Sequence, residues 1–256
     1  MKGVYSTIPF ELCEFALLQR KVNQTKLYIY LKLHSTGEIP FTDNIFDNHK
    51  VWANHINLTP KTVKKCLRWL VKKKWITINS KKKKIRVIGY NKLCNKLYII
   101  SQTAAIFEQE DYDLFKAFCC AVVIEYYARK KHWIDNNRSA SKKGGVTLNR
   151  NVSPRGYFEI PNQYLATCLG VSKTTAHNYK MEAIKANYIE RKSCLRICEN
   201  KMGEKVSCER YDELEKINPK YLDANLRRYR KGKKYLKFVE SDAIKPYIPL
   251  KRKRIK

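Results

Sequence analysis

The chain has 256 residues, 44% of them hydrophobic, which is enough to build one large or two small cores and excludes global disorder. Its 53 basic and 23 acidic residues leave a net charge of +30. An excess of this size repels itself and is typical of proteins that bind a polyanion, with nucleic acid as the first candidate and an anionic membrane surface as the second. The remaining alternative is a basic surface that only faces solvent.

The nine cysteines do not indicate a disulfide framework, because their number is odd and several lie in apolar helical runs. We expect reduced core thiols in a cytosolic protein. Cys194, Cys198 and Cys208 cluster, but their spacing fits no zinc pattern, so core packing is favoured over a metal. The longest apolar run, residues 117–124, is too short to span a bilayer. We therefore expect no membrane span, no metal and no cofactor.

Two helices are predicted near the N-terminus, at residues 11–18 and 26–34. Asn23 or Thr25 is placed to cap the second helix, and Gly37 to end it. A short extended piece and a loop are expected to follow.

Residues 51–76, VWANHINLTPKTVKKCLRWLVKKKWI, indicate a helix, a tight turn, a second helix and the start of a strand. Asn57 tolerates the left-handed backbone that the turn needs. Thr59 caps the second helix, and Pro60 occupies its first position, where the missing N–H costs nothing. Apolar and basic side chains then share out the faces of this helix. The inward positions are Val63, Leu67 and Leu70, and the basic stripe consists of Lys61, Lys65, Arg68 and Lys72.

A hairpin follows, with strands predicted at residues 75–78 and 85–88. Its turn contains four consecutive lysines, Lys81, Lys82, Lys83 and Lys84. Such a run repels itself and does not favour folding, but it is typical of a surface that contacts phosphates. Because lysines respond to charge rather than to base identity, we expect the hairpin to add affinity more than specificity.

Acidic residues precede a long helix that is predicted at residues 113–132. They are Glu108, Glu110, Asp111 and Asp113. Two readings are open, a metal-binding nuclease site and a set of acids that complements the helix dipole, and we favour the dipole. The wide apolar surface of the helix suits burial or self-association of two chains. The polar, basic stretch 134–156 then predicts a long flexible loop.

Residues 165–189, LATCLGVSKTTAHNYKMEAIKANYI, repeat the pattern of residues 51–76 at an offset of 113, which aligns Asn57 with Gly170. Few positions are identical, but the chemical class agrees through the core and the turn. A second hairpin is predicted from strands at 188–197 and 206–211, followed by short helices that include residues 219–230. The basic tail, residues 251–256, is expected to be disordered when free.

The core and turn of this second copy resemble the helix-turn-helix of winged-helix DNA-binding proteins, most clearly the GntR-type pattern LAxxLGVSxTTVxxALxxLxxxGLI. The residues that carry the resemblance are Leu165, Ala166, Leu169, Gly170, Val171, Thr175, Ala183 and Ile189. Lys180 stands where the pattern has Leu, and Asn187 where it has Gly. The resemblance implies a mainly α fold with small β wings (α+β) and two winged helix-turn-helix domains. We assign residues 1–100 to the first domain, 101–211 with its basic loop 134–156 to the second, and 212–256 to a basic C-terminal extension.

Winged-helix proteins place the second helix of the motif in the major groove, so the resemblance implies double-stranded DNA as the partner. The contacts predicted for the first copy are Lys61, Thr62, Lys64, Lys65, Arg68, Lys72, Lys81, Lys82, Lys83, Lys84 and Arg86. Those predicted for the second copy are Lys173, Thr174, Thr175, His177, Asn178 and Lys180. Because Asn178 can pair bidentately with adenine, we expect the second copy to read sequence and the more basic first copy to anchor the protein.

The sequence lacks the motifs of several enzyme classes: GxxxxGK[ST], GxSxG, HExxH, and the His-x-His pair that would accompany Tyr126-Tyr127 in a rolling-circle nicking enzyme. We predict a non-enzymatic, cytoplasmic, nucleoid-associated protein. A tandem pair of such modules without a recognisable effector domain resembles the replication initiators of plasmids and phages. The predicted function is therefore a replication initiator or organiser of a mobile element. A transcriptional regulator and an RNA-binding or structural nucleic-acid protein are the alternatives.

Overall fold

The computed structural model describes residues 6–35, 37–42, 44–100, 103–140, 156–197, 229–231 and 236–252. Over this part of the chain the fold is α+β, with small antiparallel sheets, which confirms the predicted fold class in its broad form. The described residues form two compact units, one drawn from 1–126, 174–188 and 247–256 and the other from 127–173 and 189–246. The domain division at residues 100 and 211 stays a prediction.

The first sheet joins segments that are far apart in the sequence. Strand β1 (Ser6–Pro9) pairs antiparallel with β5 (Thr103–Phe107), and β5 pairs antiparallel with β10 (Leu250–Arg252). The expectation of a disordered tail is therefore wrong for residues 251 and 252, which gain order from this strand pairing. Residues 253–256 lie outside the described residues.

Helices α1 (Phe10–Leu18) and α2 (Val22–Leu33) confirm the two helices predicted near the N-terminus. The predicted cap of α2 is wrong, because the helix begins before Asn23 and has Lys21 as its N-cap. Residues 25–31 are all buried, so α2 is enclosed on every side rather than along one stripe.

The helix, turn and helix predicted at residues 51–76 are present as α3 (His49–His55) and α4 (Pro60–Lys72). A short strand, β2 (Glu38–Pro40), precedes α3, and a hairpin of β3 (Ile76–Asn79) and β4 (Lys84–Val87) follows α4. The three strands form an antiparallel sheet in the order β2-β4-β3. The chain then continues into the short helix α5 (Tyr90–Lys96).

Buried aromatic side chains form much of the core of this region. Trp75, which follows α4, is 2% exposed and packs edge-on against the rings of Tyr28 and Trp69 at centroid distances of 5.2 Å. The hydroxyl of Tyr28 donates to the carbonyl of Ile88 at 2.9 Å, which ties α2 to the end of the hairpin. The three positions predicted to face inward on α4, Val63, Leu67 and Leu70, are all fully buried.

The long helix α6 (Phe115–Ala140) is preceded by a 3₁₀ turn at Gln109–Tyr112. It continues through the start of the predicted loop, which is therefore wrong for residues 134–140, and residues 141–155 lie outside the described part. The side chains of residues 117–124 are at most 3% exposed. The apolar side chains of residues 117–124 are thus covered within the chain, and self-association through helix 113–132 stays a prediction.

The second copy follows the same element order. Strand β6 (Phe158–Glu159) precedes α7 (Asn162–Leu169) and α8 (Lys173–Lys185), and then comes β7 (Ile189–Ile197). The observed partner of β7 is β9 (Leu236–Pro246), which also pairs with β8 (Tyr229–Lys231). The predicted strand at 206–211 and most of the helix predicted at 219–230 lie outside the described residues, and residues 229 and 230 are in a strand.

Sheet topology is shared by the two copies. The sheet of the second copy runs β6-β9-β7. In both copies, the strand before the two helices therefore lies beside the strand that pairs with the first strand after them. The hairpins differ in length. Ile76 pairs with Val87, eleven residues later, whereas Ile189 pairs with Pro246, 57 residues later.

Left-handed residues recur at the offset of 113. In the turn between the two helices, Asn57 has φ 48° and its counterpart Gly170 has φ 62°. Directly after the second helix, Lys74 has φ 55° and its counterpart Asn187 has φ 59°. The departure of Asn187 from the GntR-type pattern is therefore conservative, because asparagine tolerates this backbone better than most residues.

Backbone hydrogen bonds recur at the same offset. In the first copy the N–H of Leu58 donates to the carbonyl of Ala53 at 2.9 Å, and in the second Val171 donates to Ala166 at 3.1 Å. After the second helix, Trp75 donates to Leu70 at 2.9 Å, and Tyr188 donates to Ala183 at 3.1 Å. The two segments thus have the same local geometry despite few identical residues.

None of the described helices combines the length and the apolar character that crossing a membrane requires.

Candidate nucleic-acid interface

Helix α4 presents a basic face opposite its buried one. Its N-cap is made by Thr59, whose hydroxyl accepts from the N–H of Thr62 at 3.2 Å and lies 2.8 Å from the hydroxyl of Thr62. Thr62 and Lys64 are half-buried, whereas the predicted basic stripe is fully on the surface. Its four exposed members are Lys61, Lys65, Arg68 and Lys72. One face therefore carries most of the positive charge of the helix.

Phe46 contacts two cations of α4, Arg68 of the exposed stripe and the half-buried Lys64, and it was not predicted from the sequence. The guanidinium of Arg68 lies 5.5 Å from the centroid of the Phe46 ring, and the ammonium of Lys64 lies 5.8 Å from it. A cation held over an aromatic face loses less freedom when it binds an anion. Only the position of Phe46 in a loop just before α3 could have drawn attention to it.

The hairpin turn presents all four predicted lysines at the surface. The side-chain oxygen of Asn79 accepts from the N–H of Lys82 at 3.0 Å, and Lys83 takes the left-handed backbone with φ 46°. Lys84 differs from Lys81 and Lys82, because its ammonium donates to the Glu38 carboxylate at 2.9 Å. The turn is thus fixed by its own backbone contacts.

The Glu38–Lys84 pair changes the local charge balance. The hydrogen bond and the charge of Lys84 lower the pKa of Glu38, and Arg86, its cross-strand neighbour, contributes to the same shift. The carboxylate is therefore ionised at neutral pH. We infer that Lys84 contributes less to an external anion than Lys81 and Lys82 do.

Helix α8 exposes a smaller and more polar set. Lys173, Thr174 and Asn178 are exposed, and Thr175 and His177 are half-buried. Lys180 is 1% exposed, so its predicted contact with DNA is wrong. Lys180 lies 113 residues after Leu67, and like Leu67 in α4 it lies on the face of its helix that packs into the core.

Helix α4 and the first hairpin are neighbours in the fold. Both belong to the first compact unit, and Trp69 of α4 packs against Trp75 at the start of the hairpin. The residues predicted for the first copy are thereby brought together. Those predicted for the second copy share the helix α8.

The acidic cluster before α6 forms a cap. The N–H of Glu108 donates to one Asp111 oxygen at 2.7 Å, and the Tyr188 hydroxyl donates to the other at 2.6 Å. Burial raises the pKa of Asp111, and these two hydrogen bonds oppose the shift. Among the residues whose side chains are described, no three His, Cys, Asp or Glu residues are arranged to hold a metal ion. This cap closes the 3₁₀ turn Gln109–Tyr112, whereas the first turn of α6 contains no acidic residue. That the acids complement the dipole of the long helix stays a prediction.

No protein-family model, curated protein or solved structure matches this chain. The likeness to winged-helix proteins therefore rests on the residues and the element order described above.

Proposed function

We propose that the chain binds double-stranded DNA through two winged helix-turn-helix modules. The observation that carries the proposal is α4, whose four exposed cations line one face while its opposite face is buried in an aromatic core. An exposed α-helix of this kind fits the major groove, and its cations meet the phosphates that border the groove. The shared topology of the two copies supports a second reading helix in α8.

The first hairpin supports the same surface. Lys81 and Lys82 lie in the turn between β3 and β4, the two strands that follow α4. In a winged-helix arrangement this turn lies against the sugar-phosphate backbone beside the groove that α4 occupies. Lysines there add affinity on every sequence, because phosphates are the same at every base pair.

The second copy supplies the sequence preference in this proposal. Asn178 and Thr174 are exposed on α8, and an asparagine amide can donate to and accept from adenine in the major groove. Fewer cations surround them than surround α4. We therefore assign base readout to α8 and most of the electrostatic grip to α4 and the first hairpin.

The biological role that we propose is replication initiation or organisation on a mobile element, where repeated origin sites suit a protein with tandem modules. Transcriptional regulation by the same DNA grip is the competing role. The cytoplasmic, nucleoid-associated location and the lack of catalysis belong to this proposal.

Selection of bound sequences from random duplexes, followed by footprinting on the DNA of the source element, tests both levels. We expect a consensus that occurs as repeats near a replication origin. Protection of promoters alone would contradict the replication role and favour regulation. Equal binding of structured RNA and duplex DNA in competition would contradict the DNA proposal itself.

A further inference from the structure

A basic groove of about 820 Å³ lies in the first unit, beside the sheet β2-β4-β3. Its lining includes Thr77 and Arg86, which are cross-strand neighbours on the exposed side of the first hairpin. The groove also takes in the segment that joins β4 to α5. It is therefore a concave surface built from several elements.

Four cations from different parts of the chain line this basic groove: Lys32 of α2, Lys74 after α4, Arg86 of β4 and Lys92 of α5. Glu38 is the one carboxylate among the lining residues, and it is bound to Lys84, which lies outside the lining. The lining therefore carries four positive charges against the single negative charge of Glu38, which also lies opposite Arg86 on the neighbouring strand. Such a concentration of like charge costs free energy unless an anion is bound.

We propose that the basic groove binds a small ligand that carries two or more phosphates, such as a nucleoside triphosphate. Its volume is within the range of small-molecule sites, whereas duplex DNA is met by protruding helices and turns. Thr77 and Asn91 add a hydroxyl and an amide that can bond a phosphate or a sugar.

Single-stranded nucleic acid fits this groove less well. Binding of single strands relies on exposed aromatic rings on which bases stack. Trp75 lines the groove but is only 2% exposed, and Tyr90 is half-buried with its ring edge-on to Tyr28 at 6.0 Å. We therefore expect the basic groove to recognise the charge of phosphates and not the rings of bases.

The test is calorimetric titration of the full chain, without DNA, with ATP and separately with tripolyphosphate. We expect one site for each probe. The variant Lys74→Asn/Lys92→Gln should weaken both probes by about tenfold or more, since two charge-assisted contacts are lost. Asparagine is chosen at residue 74 because it tolerates the left-handed backbone found there.

Glu38→Gln provides a second variant with the opposite sign. It removes the negative charge from the lining and releases Lys84, so both phosphates should bind more tightly, a result that a folding defect does not produce. The matched control is Lys61→Gln/Lys65→Gln, which removes the same charge from α4 and should change the affinity for the probes less than twofold, because screening by salt limits its reach to about 8 Å.

Three results would overturn the proposal. The first is no binding of either probe, and the second is equal weakening by the groove variant and the α4 variant. The third is a groove variant that weakens duplex DNA as much as it weakens ATP, since the groove would then belong to the DNA surface. Failure of DNA binding in otherwise intact protein would contradict the proposed function and leave the phosphate titrations as they stand.

Discussion

Lys180 occupies, in α8, the position that Leu67 occupies in α4, and both side chains are buried. An ammonium group at 1% exposure carries a desolvation cost that a leucine does not have. The buried faces of the two helices differ at three aligned positions, where Val63, Leu67 and Leu70 of α4 correspond to Ala176, Lys180 and Ala183 of α8. The left-handed turns on either side stay the same. Gly170 and Asn57 are two solutions to one such turn.

Gly170→Ala should destabilise the protein by about 1–2 kcal/mol, because φ is 62° there and a Cβ disfavours this backbone. A Cβ at this position would meet nothing within 4 Å, so the cost comes from the backbone alone. Gly89→Ala is the matched control, since the site is equally open and φ is −72°. Gly89 is the N-cap of α5, where glycine is favoured over alanine. Gly89→Ala should therefore lower the free energy of unfolding in urea titrations, but by less than Gly170→Ala does. Equal costs would contradict the backbone explanation.

The lowered pKa of His34 predicts that the protein loses stability in mild acid. Burial lowers its pKa from the ordinary value of 6.5, and the neighbouring His55 lowers it further. As the pH falls below about 6.5, the unfolded chain binds a proton at this residue more readily than the folded chain does, so unfolding becomes more favourable. The free energy of unfolding should be smaller at pH 5.5 than at pH 7.5. His34→Gln should narrow that difference.

At the scale of elements, the first hairpin and α4 both expose several cations, but they arrange them differently. The helix spreads its cations along one face and holds Arg68 over Phe46, whereas the hairpin concentrates them in one turn. The lysines of the turn are also not equally available to an external anion, since Lys84 is bound to Glu38. Counting lysines in the sequence therefore overstates the number available for phosphate.

Lys81→Gln/Lys82→Gln should weaken binding to every duplex and lower the slope of log affinity against log salt by about 1.8, which is two phosphate contacts. Lys84→Gln should lower that slope by less than about 0.9. Affinities measured by fluorescence anisotropy at several salt concentrations give the slopes. If Lys84→Gln lowered the slope by as much as each substitution of the double variant does on average, the proposed role of Glu38 would be contradicted.

At the scale of the whole molecule, two copies of one local design carry different surfaces. Asn178→Ala should cost about 1–3 kcal/mol of binding free energy on the selected site and leave random DNA unaffected. Lys65→Gln/Lys72→Gln should weaken both kinds of DNA. Parallel titrations of selected and random duplexes measure the difference. If the two variants acted alike on random DNA, the division of labour between the copies would be wrong.

Local signals explain most of what the sequence could predict. Thr59, Pro60 and Asn57 act on their immediate neighbours, so the turn and the start of α4 follow from a few residues. The first hairpin is also local, because its strands are joined by a short turn. The position of Lys180 in the core could have been predicted from its alignment with Leu67.

Long-range pairing explains most of what the sequence could not predict. Strand β10 has three residues and pairs with a strand about 145 positions earlier, and nothing in its composition names that partner. The pairing of β7 with β9 is likewise set by a long excursion of the chain. Phe46 gained its role only when folding placed it beneath α4.

The pairing of β10 with β5 also bears on the order of events during synthesis. The first two strands of that sheet are synthesised well before the third, which follows β5 by about 145 residues. The edge of β5 that β10 covers stays exposed in the meantime, and an exposed strand edge is a site for pairing with other chains. The nascent protein therefore depends on the rest of the chain being made before its first sheet is complete.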